Sequence, residues 1–309
     1  MKAARIHAYG DRGSVAVEEV PVPEVGPDEV LIRVAAASIN PLDLKLIGGG
    51  LDTYFPLSFP YALGTDLAGI VERAGPLAAR WRPGDRVIAR PDPVRGGAFA
   101  EFAAVPAAWI APAPTTLPLT TAAGLPTAAG TAWQALFETA HLKAGQTVLV
   151  HAGAGGVGSA AVQLARVAGA RVVATGSGAN AELLRRLGAA QVIDYRTEDF
   201  AAQLRDVDVV LDTIGGETQH RSFAVLRPGG VLASIASPPD EALARAHGVS
   251  APFVFHQTDA TRLGLAVGLC DAGSLTVVVD REHSLEELAA ALDHVASGHA
   301  RGKVLIRPA

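Results

Sequence analysis

The chain has 309 residues, 49% of them hydrophobic, with 26 basic and 31 acidic side chains and a formal charge of −5. That length exceeds one comfortable core and points to two domains, and the composition excludes a disordered chain. No basic block and no apolar run of spanning length is found, so neither nucleic acid nor a membrane is an expected partner.

The N-terminal Met1-Lys2-Ala3-Ala4-Arg5-Ile6-His7 lacks the apolar core of a signal peptide, which leads us to expect a cytoplasmic protein. Of the 20 prolines, 14 fall at or before Pro118, and this part reads as mostly β. Its apolar runs, 30–39, 67–71 and 86–89, are bounded by Pro-Glu, Gly-Pro and Pro-Gly-Asp turn signals. They predict small, strongly curved sheets or a barrel, with proline at the edges. From about Thr120 strands alternate with helices, the pattern of a parallel sheet covered on both faces. Strands are expected at 147–152, 171–175, 191–194, 207–212, 230–235 and 252–255, six in all, enough for two mononucleotide-binding halves. Helices are expected at 157–168, 179–187 and 219–226, with Gly169, Gly188 and Gly229 as stop signals. The rest predicts a helix over 259–271, a strand over 275–279, a helix over 284–295 opened by a Ser284 and Glu287 capping box, and a strand over 303–306. The one cysteine, Cys270, excludes an intramolecular disulfide and any multi-cysteine metal site, and reads as a small buried hydrophobe.

Between the first strand of the alternating part and its helix lies Gly153-Ala154-Gly155-Gly156-Val157-Gly158, a complete G-x-G-x-x-G. A dinucleotide pyrophosphate requires that order: Gly153 for the tight turn, Gly155 for close approach of the backbone, and Gly158 for packing of the helix on the sheet. The end of the second strand, Ala174-Thr175-Gly176-Ser177-Gly178, lacks the carboxylate that would hold an adenosine ribose and repel a 2′-phosphate. Thr175 and Ser177 leave room for that phosphate, and Tyr195 closes the third strand nearby, so NADP is expected rather than NAD. No Lys or Arg lies within 176–181. Arg185 and Arg186 read equally as phosphate ligands or as a solvated helix face.

Many short segments in order resemble the zinc-free quinone oxidoreductase and enone reductase group of the medium-chain dehydrogenase/reductase superfamily. They include Asn40-Pro41-Leu42-Asp43-Leu44-Lys45, Gly64-Thr65-Asp66-Leu67-Ala68-Gly69, Gly97-Ala98-Phe99-Ala100-Glu101-Phe102, the glycine motif, Val192-Ile193-Asp194-Tyr195, Asp212-Thr213-Ile214-Gly215-Gly216, Leu226-Arg227-Pro228-Gly229-Gly230 and Gly302-Lys303-Val304. The resemblance implies an α/β protein: a GroES-like β domain built from 1–119 and 259–309, a six-stranded Rossmann domain over 120–258, and NADP in the cleft. It implies a homodimer too, and 252–255 is the edge strand to look at first. Asn40 and Thr65 stand where zinc-dependent relatives carry a Cys and a His, so no zinc is expected, and His294 and His299 read as surface residues.

Without a metal to polarise an alcohol, the easier chemistry is hydride addition to a substrate that is already electrophilic, a quinone or an α,β-unsaturated carbonyl. Lys45 is the candidate catalytic group beside the oxygen that gains charge, because a desolvated lysine can be tuned to act as an acid near neutral pH. Asn40 is expected to orient the amide end of the nicotinamide or a nearby loop, Thr127 and Thr131, ahead of and within the next helix, to reach the nicotinamide side, and Pro41 and Lys303 to bind the cofactor with them. Thr213 and Ile214, Ser234 and Ile235, and Phe253, Val254 and Phe255 end the fourth, fifth and sixth strands, where ligands bind in doubly wound sheets. Asp43 is expected to tie down its own turn, and Asp66 to satisfy backbone donors. Tyr54 and Phe55, with Phe59, read either as the wall of a substrate pocket or as a small satellite core. The expected function is an NADPH-dependent reductase of a small hydrophobic electrophile. The alternative is an NADPH-binding protein with little turnover.

Overall fold

The computed structural model describes residues 1–308 and gives the proline-rich and the alternating parts of the chain separate folds. One unit takes Met1–Thr127 together with the chain from Thr258 onward, and the other is Ala128–Gln257.

The first unit is built on β1 (Lys2–Ile6), β2 (Ala16–Glu19), β3 (Glu29–Ile39), β4 (Tyr61–Ala62), β5 (Leu67–Ala74), β6 (Arg86–Ala89), β7 (Phe102–Pro106) and β8 (Ile110–Pro112). Its larger sheet is centred on β3, an apolar run buried along nearly its whole length and paired antiparallel with both β5 and β7. The smaller sheet runs β2-β1-β4. Around β3 a core forms from Ile32, Val34, Leu67, Val87, Phe99 and Val105, with Leu288, Leu292 and Ile306 arriving from the far end of the chain. This is the GroES-like domain closed by both chain ends.

The return is made by α9 (Ala260–Asp271), β14 (Val279–Ser284), α10 (Leu288–Ala296) and β15 (Lys303–Arg307), and β15 pairs antiparallel with β3 so that Val304 faces Ile39. That register brings Lys303 beside Asn40. Asp259 caps α9, and the Ser284 and Glu287 capping box forms as expected. The strand expected at 275–279 lies instead at β14, whose Val279 to Ser284 follow Lys303 to Arg307 in parallel register. Asp280, Arg281, Glu282 and His283 carry no apolar alternation, so the pairing partner rather than the local pattern sets this edge strand. His294 is not a surface residue. It is largely buried, with Nε2 2.6 Å from Asp280 Oδ2.

The second unit holds a parallel Rossmann sheet of β9 (Thr147–Val150), β10 (Arg171–Gly176), β11 (Gln191–Asp194), β12 (Val207–Asp212) and β13 (Leu226–Ser234), in the order β11-β10-β9-β12-β13. Five strands form where six were expected. The segment around 250–254 runs beside β13 but is reduced to two single bridges, Val231 with Ser250 and Ser234 with Phe253. Ser250 N bonds Gly230 O and Val254 N bonds Ser234 O, while Pro252 between them has no N–H to give. One missing donor thus splits the ladder. The sheet is covered by α4 (Gly156–Val167), α5 (Ala181–Leu187) and shorter helices that include α6 (Phe200–Gln203) and α7 (Gly216–Ser222), over a core of Leu149, Val173, Ile193, Val210, Phe223 and Leu232.

Candidate active site

The turn after β9 is shaped for close approach. A Cβ on Gly158 would stand 2.2 Å from Ala152 O, and one on Gly153 would meet Ala174 Cβ and Leu184 Cδ2, each at 2.9 Å. The residue of the turn with positive φ is Ala152 (φ 45°), and Gly153 beside it is needed for close packing against Ala174 and Leu184. Gly153 N bonds Thr175 O at 2.8 Å and Gly155 N bonds Ala152 O at 2.9 Å. Those bonds fold Gly153, Ala154 and Gly155 over the end of β10. With Gly155 as its N-cap, α4 leaves the N–H groups of Gly156, Val157 and Gly158 without intrahelical partners, beside the positive end of the helix dipole. These residues fit a dinucleotide pyrophosphate.

Thr175 does not open toward a ribose. It is buried, and its Oγ1 accepts the Ala152 N–H at 3.2 Å. Ser177, the residue after β10, is buried and its Oγ accepts from Asn180 Nδ2 at 3.2 Å, while Tyr195 is exposed with the Arg196 guanidinium 5.8 Å from its ring centre. Arg185 and Arg186 are exposed on α5, and Arg186 pairs with Glu182, as a solvated face would. An acid does stand at this corner. Asp194, paired with Gly176 across β10 and β11, takes the Gly178 N–H on Oδ2 at 2.9 Å and the Arg196 N–H on Oδ1 at 3.0 Å. It belongs to the third strand in sequence, and the parallel register brings it beside the end of the second.

At the other strand ends, Thr213 Oγ1 donates to His151 O, while Ile214 is exposed with its N–H on Asp212 Oδ1 at 3.0 Å. Ser234 is fully buried and gives its hydroxyl to Asp212 Oδ2 at 2.8 Å, so its side chain braces the loop. Ile235 N bonds Asp212 O. Phe253 and Phe255 are exposed and Val254 is buried between them, and Thr131 is buried in α3 (Pro126–Trp133).

In the first unit a dense polar cluster surrounds Asn40. Lys303 is buried, and its Nζ donates to Asn40 Oδ1 at 2.6 Å, Ile39 O at 3.1 Å and Asp66 Oδ2 at 3.3 Å. Asn40 Nδ2 donates to Asp66 Oδ2 at 3.0 Å and to Thr65 Oγ1 at 3.4 Å. The other oxygen of Asp66 takes both the N–H and the hydroxyl of Thr127, at 3.0 and 2.7 Å. Arg90 completes the cluster, reaching Thr127 Oγ1 at 3.1 Å and Thr258 Oγ1 at 2.7 Å. Asn40, Thr127 and Lys303, expected on the cofactor, therefore have these polar groups committed to a cluster centred on Asp66, which satisfies a backbone donor as expected and several side chains besides. Asp43 does tie its turn: Oδ2 accepts the Asn40 N–H at 2.7 Å, while Oδ1 is buried without a partner. Burial, with Asp66 adding to it, pushes this carboxyl up to about 7 against the Asn40 N–H, Lys303 and Arg90.

A zinc ion does not fit here. The donors beside Asn40 are an amide, a hydroxyl and a carboxylate, and an ammonium already sits among them. Among the described residues no group of three His, Cys, Asp or Glu is placed to hold a metal, and no helix is long and apolar enough to cross a membrane.

The cluster fixes the start of α1 (Pro41–Ile47), on which Pro41 is exposed at the first position. Lys45 is exposed on the same helix. The desolvation expected of it is not found. Tyr54 is 66% exposed, Phe55 is half-buried, and Phe59 packs edge-on against Tyr9 at 4.9 Å between ring centres.

Such a pair of domains, one with a dinucleotide turn, defines a nicotinamide-type oxidoreductase fold. Residues 26–115 match the alcohol dehydrogenase GroES-like domain and 187–306 the zinc-binding dehydrogenase domain. The chain is 32% identical to a chloroplast envelope quinone oxidoreductase homolog of Arabidopsis thaliana, covering 100% of this chain and 98% of the relative. It is 36% identical to 2-methylene-furan-3-one reductase of Solanum lycopersicum, covering 97% and 78%. The Escherichia coli quinone oxidoreductase solved with NADPH superposes with a TM-score of 0.90 at 26% identity, covering 100% of both chains. The chain belongs to the quinone oxidoreductase group of the medium-chain dehydrogenase/reductase superfamily, and it is an oxidoreductase of that family.

Proposed function

We propose that the protein is a zinc-independent, NADPH-dependent reductase of a quinone or an α,β-unsaturated carbonyl. One observation carries this reading above the rest: where zinc-dependent relatives bind their metal, a buried lysine ammonium ties Asn40 to Asp66. The names of the relatives, a quinone oxidoreductase and a furanone reductase, support the substrate class.

The cofactor supplies a hydride from nicotinamide C4 when bound. The turn from Gly153 to Gly158 holds its pyrophosphate, with Ser177, Tyr195 and Arg196 at the adenosine 2′-phosphate. Asp194 is already engaged by two backbone N–H groups, which absorbs charge that would otherwise oppose a phosphate. Backbone groups at Ile214, Ile235 and Phe253 to Phe255 flank the nicotinamide. Lys45 stands as the cation for the oxygen that gains charge as the conjugated carbon is reduced, and Tyr54 and Phe55 receive a flat apolar substrate. The protein is cytoplasmic and homodimeric on this reading, with the edge at 252–255 as the contact.

Oxidation of NADPH followed at saturating 9,10-phenanthrenequinone or an alkyl enone tests it. Lys45→Ala is expected to lower kcat by about 10²-fold with little change in melting temperature. Tight NADPH binding with no oxidation across a broad panel of electrophiles would leave the binding-protein alternative instead.

A further inference from the structure

The last residue before the glycine turn is a histidine that no step above uses. His151 is 1% exposed and lies edge-on to Phe200 at 4.8 Å between ring centres. Both ring nitrogens meet hydroxyls: Nδ1 is 3.1 Å from Thr175 Oγ1 and Nε2 is 2.9 Å from Ser222 Oγ. The neighbours decide the direction of each bond. Ser222 donates its own proton to Thr218 O at 2.6 Å, so it accepts from His151, and Nε2 carries the ring proton. Nδ1 is then the acceptor. Thr175 donates to it while accepting the Ala152 N–H. A chain with one direction results, from Ala152 N–H through Thr175 and His151 to Ser222 and the Thr218 carbonyl on α7.

The head of that chain is the left-handed residue of the turn. Ala152 pays a steric cost for φ 45° that a glycine would not, and its two peptide ends set the geometry around it. Its N–H is held by Thr175. Its carbonyl takes the Gly155 N–H and lies against Gly158.

We propose that His151 is a positioning residue of the cofactor cradle: as a neutral imidazole protonated on Nε2, it orients the Thr175 hydroxyl and thereby locks Ala152 and the glycine turn in the pyrophosphate-binding form. The inference rests on reading that turn as a nicotinamide dinucleotide cradle. Burial pushes the imidazole down to about 4 and so keeps it neutral, while the Asp212 carboxylate on β12 pulls the other way; Thr175, Ser222 and Phe200, its other neighbours, carry no charge. A charged imidazole would present a second donor to Thr175 and reverse the chain at its centre.

The test measures NADPH and NADH binding to the full chain by nicotinamide fluorescence, for the wild type, Thr175→Val, His151→Phe and His151→Asn. Thr175→Val and His151→Phe are expected to weaken binding about tenfold, and His151→Asn about threefold or less because its Oδ1 can replace the Nδ1 acceptor. The KM for the electrophile should not change. In parallel, 15N spectra of the histidines should show one ring in the Nε2–H form that does not titrate between about pH 8 and 5.5. Equal dissociation constants in all four proteins, or a His151 ring that titrates in that range, would overturn the inference while leaving the cofactor reading standing. A wild type that binds neither nucleotide removes both. Thr175→Val decides alone if His151→Phe does not fold.

Discussion

The two units each bury a polar cluster, and the clusters are made of opposite materials. Around Asn40 the first unit gathers Asp43, Asp66, Arg90 and Lys303, which join segments as far apart in sequence as Ser38, Thr127 and Thr258. Beside the glycine turn the second unit uses a neutral imidazole and two hydroxyls to steer one peptide. Charges give strong bonds at the cost of desolvation, and the first unit accepts that cost where several strands must be pinned at once. Neutral groups can be ordered in one direction, which suits a turn whose N–H groups must stay free for an anion.

The contrast can be broken from either side. Lys303→Met leaves Asp66 buried without its cation and is expected to cost about 3–5 kcal/mol in chemical unfolding, with Asp66→Asn in the same chain restoring part of it. Asp66→Asn that does not rescue Lys303→Met would show that the ammonium acts through packing rather than charge. In the neutral cluster the largest effect should come from bulk. Gly158→Ala pushes a methyl onto Ala152 O and should cost about 1–3 kcal/mol and cofactor binding together.

Acid and base should then act on the two clusters in opposite senses. His151 is near 4 when folded and 6.5 in a free chain, so the unfolded state binds more protons between those values. Its contribution falls as pH drops from 6.5 toward 4, by at most about 3 kcal/mol. Asp43 lies near 7 when folded against 3.8, so the folded state binds the proton, and stability is lost as pH rises from 3.8 toward 7. Asp43→Asn should gain melting temperature relative to the wild type as pH increases over that range, and His151→Phe should gain as pH decreases. Parallel curves for variant and wild type would remove either assignment.

What could be read before the fold was seen followed locality. The strands at 191–194 and 207–212 and the capped helices near 259 and 284 depend on neighbours within a few residues, and they form as expected. The glycine motif is local as well. β14 and the broken sixth strand depend on partners elsewhere in the chain and on one absent N–H, which no window around them contains. The same division runs through the site. Asn40 and Thr65 could be recognised as replacements for metal ligands, but the lysine that sits with them arrives from residue 303, and Asp194 reaches the ribose corner through a neighbouring strand. Thr175 could be located but not its inward rotation, because that is decided by His151.

The proposed function stands on hydride transfer to a conjugated carbon without a metal. Incubating the protein with NADPH deuterated at the transferred C4 position, an alkyl enone and excess chelator, then locating deuterium in the product by NMR, tests it most directly. One deuterium at the β-carbon per NADPH consumed, undiminished by the chelator, is the expected result. A product without deuterium at that carbon, or NADPH left unoxidised, would contradict it.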